Sequence, residues 1–220
     1  MLIPFNNLFA FIKLKCLECT IDESHAIKHS MDVFNYAHKI FEVEKIIHRE
    51  IIGQERIIYT AALLHDMCDD KYTDVEQGLQ EIKGLLTRNN YPINEIDIIN
   101  TIISTMSYSK VKQNGFPDIS SEYQLSYHIV READLLTAYD IERCMVYGIN
   151  KRDMDYTETF AAASHLYSIR MEKHIEDGLF TTQFALEEGK KLNEINKKRI
   201  NEIQEIIENF DIKDNKIFDL

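Results

Sequence analysis

The 220 residues include only seven Gly and three Pro. That is about 5 %, against roughly 12 % in average usage. With so few residues suited to sharp turns, long helices are expected to carry most of the chain. The apolar residues supply the matching period. From Ser24 to Glu44 they fall at Ile27, Met31, Phe34, Tyr36, Ala37, Ile40 and Phe41, which is helical spacing. Glu55 to Met67 is apolar nearly all round, as in a helix buried on most sides. Asp74 opens a third pattern that closes at Asn89–Asn90, and a fourth starts near Asn94. Ser107 to Ser120 contains Asn114–Gly115 and Pro117 and reads as the main loop. A long helix is expected from Ser121 to about Tyr147, another from Tyr156 to about Glu176, and a last amphipathic one over Gln183 to Phe210. No run alternates with the period of a strand. The expectation is an all-α, single-domain helical bundle with one core. Residues 1–19 form an N-terminal packing helix, 20–180 the main body, and 181–220 a C-terminal amphipathic helix packed on the same domain.

The formal charge of −12 removes the basic surface on which a nucleic-acid polymer would be held. A small phosphate compound remains compatible with an acidic chain if a metal ion supplies local positive charge. The longest apolar run near the N-terminus, Leu8 to Ile12, is far short of the roughly 20 residues that span a bilayer. The N-terminus has neither a basic n-region before that run nor a small-residue cleavage site after it, so no signal peptide is expected. Cys16 and Cys19 form a C-x-x-C without a second pair to complete a zinc site, and they read as a coincidence of helical spacing. A reducing, cytoplasmic setting is the expectation, with no membrane and no nucleic-acid partner; oligomeric state is not legible.

Three polar groups stand where only apolar ones are expected. Asp66 follows Ala61-Ala62-Leu63-Leu64-His65 at the end of the most apolar helix. An ionised carboxylate there is costly unless it is paired or binds a metal. Asp134 shares a helical face with Val130, Ala138 and Ile141, while Arg131 and Glu132 are expected to point elsewhere. His29 is followed on one stripe by Val33, Ala37 and Phe41. Taken singly, His29 fits a hydrogen-bonded core histidine, and Asp134 fits a pair with Arg143. Taken together, two imidazoles and two carboxylates without a thiolate suit one divalent metal ion, with Mn, Mg, Fe, Co and Zn not distinguished. A cation so held activates water near neutral pH.

The ordered set His29, His65-Asp66, Asp134 resembles the H…HD…D signature of the HD-domain phosphohydrolase superfamily. Local context is similar too: Asp22-x-Ser24-His25-x-x-x-His29-x-x-x-Val33, Asp70-Lys71-Tyr72, Ser107-Tyr108-Ser109-Lys110, and Ile129 to Leu136 around Asp134. Two positions depart from the family pattern: Asp32 stands where Arg is frequent, and Glu132 where Asp is frequent. The resemblance spans residues 20–175. It implies an HD-type helical bundle with His29, His65, Asp66 and Asp134 as metal ligands. It also implies hydrolysis of phosphate ester or anhydride bonds in a small metabolite, a nucleotide above all. Binuclear members insert further histidines before the last motif; here only His128 lies between, which implies a single metal. Asp69, one turn after Asp66 if the helix continues, is the candidate to orient or deprotonate water. His25, one turn before His29, is a second catalytic candidate. Lys71, Lys110 and Arg143 are candidates to bind substrate phosphate, although each also fits a surface cation. The alternative is a catalytically silent HD-fold module that binds metal or ligand.

Overall fold

Residues 2–210 are described by a computed structural model, and every regular element among them is helical. The elements in order are α1 (Phe5–Glu18), α2 (Ile27–Ile47), α3 (Glu55–Leu64), α4 (Val75–Arg88), α5 (Ile93–Thr105), α6 (Tyr108–Asn114), α7 (Gln124–Thr137), α8 (Ile141–Arg152), α9 (Tyr156–Leu166), α10 (Lys173–Glu176) and α11 (Gln183–Phe210). A 3-10 turn, Arg49–Ile51, follows α2, and a π turn, Tyr167–Met171, joins α9 to α10. The chain is an all-α, single-domain bundle. No helix among the described residues is long and apolar enough to cross a membrane.

The centre is α2, α3 and α7, each packed on the other two. Every residue of α3 from Arg56 to Leu64 is buried, the outcome expected of a helix apolar all round. Helix α5 covers α3, α4 covers α5, and α11 crosses both α2 and α7. Helices α8 and α9 form a hairpin that shares a smaller core with α11, around Ile141, Met145, Phe160 and Ile203.

Several boundaries follow from single side chains. Asp74 caps α4 by accepting from Gln77 N at 2.8 Å, and Asn90 leaves that helix with φ +59, a conformation Asn tolerates. Asp155 and Glu158 close a reciprocal capping box on α9. The expected helix over 121–147 is instead two helices. It breaks after Thr137, and Asp140 starts α8 by accepting from Arg143 N at 3.2 Å. The expected loop over 107–120 contains α6, which ends at Gly115 with φ +75.

Arg131 and Glu132 do not point to solvent: both are fully buried. Glu132 accepts from Thr181 N at 2.7 Å and Thr182 N at 3.1 Å, and from both hydroxyls at 2.6 Å. Arg131 Nη2 donates to Glu132 at 2.9 Å and also to Leu179 O. The Glu132 carboxylate thus serves packing, tying α7 to the lead-in of α11. Cys16 lies on α1 and Cys19 caps its end, both as free thiols. Of the C-terminal segment 181–220, residues 211–220 lie outside the described residues.

Candidate metal centre

His29 comes from the first turn of α2, His65 and Asp66 from the two positions directly after α3, and Asp134 from the last turn of α7. These are the three mutually packed central helices, so the four groups meet inside the bundle. Suitable ligand atoms of His29, His65 and Asp66 all lie within 4.8 Å of one another. Asp134 Oδ1 is 3.4 Å from His29 Nε2 and 3.6 Å from His65 Nε2.

The tautomers follow from the partners. His65 Nδ1 is 2.9 Å from Ala62 O, which can only accept, so Nδ1 carries the proton and the neutral ring leaves its lone pair on Nε2. His29 Nε2 is 3.1 Å from Arg143 Nη2, which can only donate, so a lone pair is on Nε2 here as well. The two Nε2 atoms face each other at 3.0 Å. Asp66 Oδ2 approaches His29 Nε2 at 3.1 Å but without hydrogen-bond geometry, and this buried oxygen has no hydrogen-bond partner. Two facing lone pairs, an orphaned buried carboxylate oxygen and a second carboxylate fit a divalent cation.

The titration tendencies agree with that fit. Burial works against the charged form of His65, yet the Asp66 charge and then the nearby Asp134 carboxylate outweigh it and raise its pKa well above the ordinary value. Burial likewise opposes the charge of Asp66, but the His65 charge and contacts with both histidines hold it well below the usual carboxylate range. Asp134 is held low against burial by the closely placed His29 and His65 rings. The set therefore carries strongly held negative charge and competes for a single positive occupant, a proton or a metal ion.

A cavity of about 660 Å3 opens over the cluster, within the roughly 300–1,000 Å3 of small-molecule sites. His25, Asp69, Lys71, Lys110 and Arg143 all line it. Their settings differ from the sequence reading in detail. His25 precedes α2 and sits on a turn rather than on the helix. Ser24 Oγ donates to Asp22 Oδ1, and Tyr72 OH donates to Asp22 Oδ2 at 2.7 Å. Both hydroxyl protons are thereby committed, so His25 Nδ1, 2.6 Å from Ser24 Oγ and 3.1 Å from Tyr72 OH, is the donor and Nε2 keeps a lone pair. Burial, and then the charges of Arg143 and Lys71 against that of Asp66, lower its pKa to about 4, so the ring is neutral at pH 7.

Asp69 is not on a continuing helix. Helix α3 stops at Leu64, and Asp69 N reaches back to Asp66 O at 3.3 Å in a run of turns. Burial raises the Asp69 carboxyl above its ordinary pKa, against hydrogen bonds and charge from Lys71. Lys71 Nζ pairs with Asp69 at 3.2 Å, and Lys110 Nζ donates to Ser104 O at 2.7 Å. Arg143 does not pair with Asp134; its Nε donates to Ser24 O and Nη1 to Thr137 Oγ1 at 3.4 Å. His128 stands apart from the four-group cluster, within hydrogen-bond reach of Gln124 Nε2 and Arg131 Nη2. Sequence reasoning names Asp22 and Tyr72 only as motif context, without the role of orienting His25 that the structure gives them, and passes over Arg170, which lines the cavity from the π turn.

No protein-family model matches the chain, and no curated protein matches it. Among solved structures it is similar to a Lactobacillus plantarum protein whose crystal structure was determined as a structural-genomics target. The two share 18 % identity over 92 % of this chain and 97 % of that one, with a TM-score of 0.65. At that identity the similarity is one of fold.

Proposed function

We propose that the protein is a metal-dependent phosphohydrolase of the HD-domain type, cleaving a phosphate ester or anhydride bond of a small metabolite, with a nucleotide as the first candidate. One observation carries the reading. Three central helices deliver two imidazole lone pairs and two carboxylates to one point beneath a ligand-sized cavity, and one of the buried carboxylate oxygens has no protein partner.

A divalent cation held by His29, His65, Asp66 and Asp134 would supply Lewis-acid chemistry, polarising a phosphoryl oxygen and activating water. The surrounding residues have separable tasks. Arg143 and Lys110 offset the negative charge of the phosphoryl group. Asp69, with its pKa raised and Lys71 alongside, is suited to take a proton from the attacking water. His25, neutral and with Nδ1 committed to Ser24 and Tyr72, presents Nε2 as a fixed acceptor for a water or a substrate hydroxyl. The apolar wall, with Ile103, Met106, Leu135 and Ala162, suits the organic part of the substrate.

The deciding experiment is an assay of purified protein with Mn²⁺, Mg²⁺ or Co²⁺ against nucleoside mono-, di- and triphosphates and simple phosphate esters. Release of orthophosphate or pyrophosphate would name the bond cleaved. Metal binding with no turnover across that set would favour a silent metal-binding module instead.

A further inference from the structure

Five cationic side chains border the cavity, and four of them have local partners. Lys71 is paired with Asp69, Lys110 donates to Ser104 O, and Arg143 is spread over Ser24, Thr137 and His29. Arg152 lies against the Tyr147 ring, Cζ to centroid 5.5 Å. Arg170 differs. Its Nε is buried without a hydrogen-bond partner, and the side chain forms no ion pair or hydrogen bond among the described residues. Its one close partner is the face of Tyr108, with Cζ 4.1 Å from the ring centroid. Tyr108 opens α6, so the stack bridges two separate walls of the cavity.

The backbone around Arg170 is unusual as well. Glu172 N bonds to Tyr167 O at 3.1 Å, the five-residue step of a π turn. Such insertions disturb a helix and recur at functional sites. This one is anchored at both ends: Tyr167 and Met171 are buried, and Tyr167 OH donates to Asn193 Oδ1 at 2.9 Å. Between the anchors, Ile169 and Arg170 both line the cavity. A guanidinium cannot shed its charge, and Asp134 acts on this one only at a distance, so holding it partly buried without a contacting counter-ion is destabilising. Ligand oxygens would supply the missing partners.

We infer that Arg170 is a substrate-binding residue, its guanidinium fork laid flat on Tyr108 to take the non-bridging oxygens of a phosphate or pyrophosphate group that enters the cavity. The inference deepens the phosphohydrolase reading and rests on it for the word substrate. The planar fork matches phosphate geometry, and the stack fixes its orientation before the ligand arrives.

The test is calorimetric titration of the full chain with imidodiphosphate, a non-hydrolysable pyrophosphate analogue, with and without saturating Mn²⁺. The wild type should bind it. Arg170→Gln should weaken binding at least tenfold while leaving Mn²⁺ affinity within twofold. Arg170→Lys should lose several-fold, because an ammonium keeps the charge without the fork. Tyr108→Leu should also lose several-fold, because the fork is no longer held. The Lys and Leu variants carry the test if the Gln variant fails to fold. Affinity within twofold of wild type in the folded variants, or no binding by the wild type, would overturn the inference. Failure of the hydrolase reading looks different: binding would still depend on Arg170, but no phosphate compound would be turned over.

Discussion

Arg143 Nη2 stands 3.1 Å from His29 Nε2, so a fixed positive group donates to the atom expected to ligate a cation. Metal and guanidinium must then share that histidine at close range, at a cost to metal binding. Arg143→Gln is expected to tighten Mn²⁺ binding by about threefold to tenfold, roughly 0.7–1.4 kcal/mol, while lowering phosphate turnover. Metal titration beside steady-state kinetics checks it. Weaker Mn²⁺ binding would mean that Arg143 matters chiefly by pinning Ser24 and Thr137.

Removal of a ligand should separate metal binding from folding. A cation that binds only the folded protein stabilises it by about 4 kcal/mol at a thousand times its dissociation constant. For a chain of this size that shifts the melting temperature by on the order of 10 °C. Wild-type protein should show such a shift with Mn²⁺. His65→Ala and Asp134→Ala should show none, while keeping their helical circular-dichroism signal. A full shift in either variant would remove the four-ligand assignment.

Glu132 makes the opposite prediction. It accepts four hydrogen bonds from Thr181 and Thr182 and neutralises buried Arg131. Glu132→Ala leaves that guanidinium uncompensated in the core and should cost about 3–5 kcal/mol. Urea unfolding measures this. Mn²⁺ affinity of the folded fraction should not change, because Glu132 is turned toward α11 and away from the ligand cluster.

Gly148 lets α8 and α9 approach closely. A Cβ there would lie 1.9 Å from Thr159 Oγ1 and 3.0 Å from Thr159 Cβ, and both residues line the cavity. Gly148→Ala should destabilise by about 1–3 kcal/mol through overpacking. Adding Thr159→Ala removes the clashing hydroxyl and should recover part of the loss, a coupling readable from a double-mutant cycle in urea.

The parts of this fold that are legible in the sequence are those in which one short segment contains its own reason. The apolar run before His65-Asp66 is one, and the start of α4 at Asp74 is another, because cap and helix lie side by side. The break at Asp140 is less visible: Thr137-Ala138-Tyr139 contains no Gly or Pro, and only the Asp140 carboxylate on Arg143 N marks the new start. Burial of Arg131 and Glu132 could not be read locally, since their partners Leu179, Thr181 and Thr182 lie some 50 residues downstream. Arg170 is hidden for a related reason. A π turn has no compositional mark, and without it Arg170 reads as one more surface cation.

His174 makes acid sensitivity a prediction about one residue. The ring is fully buried among Tyr108, Tyr139 and Phe180, and neither nitrogen has a hydrogen-bond partner. Burial, and then the charge of Arg170, lower its pKa from 6.5 to about 3. The unfolded chain therefore takes up this proton first as pH falls. Stability is unaffected by His174 above pH ~6.5 and declines below it by about 1.4 kcal/mol per pH unit, until the folded state can also be protonated near pH ~3. Between pH 6.5 and 5 the loss from this residue is about 2 kcal/mol. His174→Phe keeps a flat ring of similar size without the titrating nitrogens. It should match the wild type to within about 1 kcal/mol at pH 7.5 but exceed it by about 2 kcal/mol at pH 5, relative to that starting difference. Because His25 and His128, also lowered to about 4, are common to both proteins, the difference isolates His174. Urea midpoints measured in parallel at the two pH values give the answer, and equal pH dependence in both proteins would show that the buried ring finds a counter-charge on protonation.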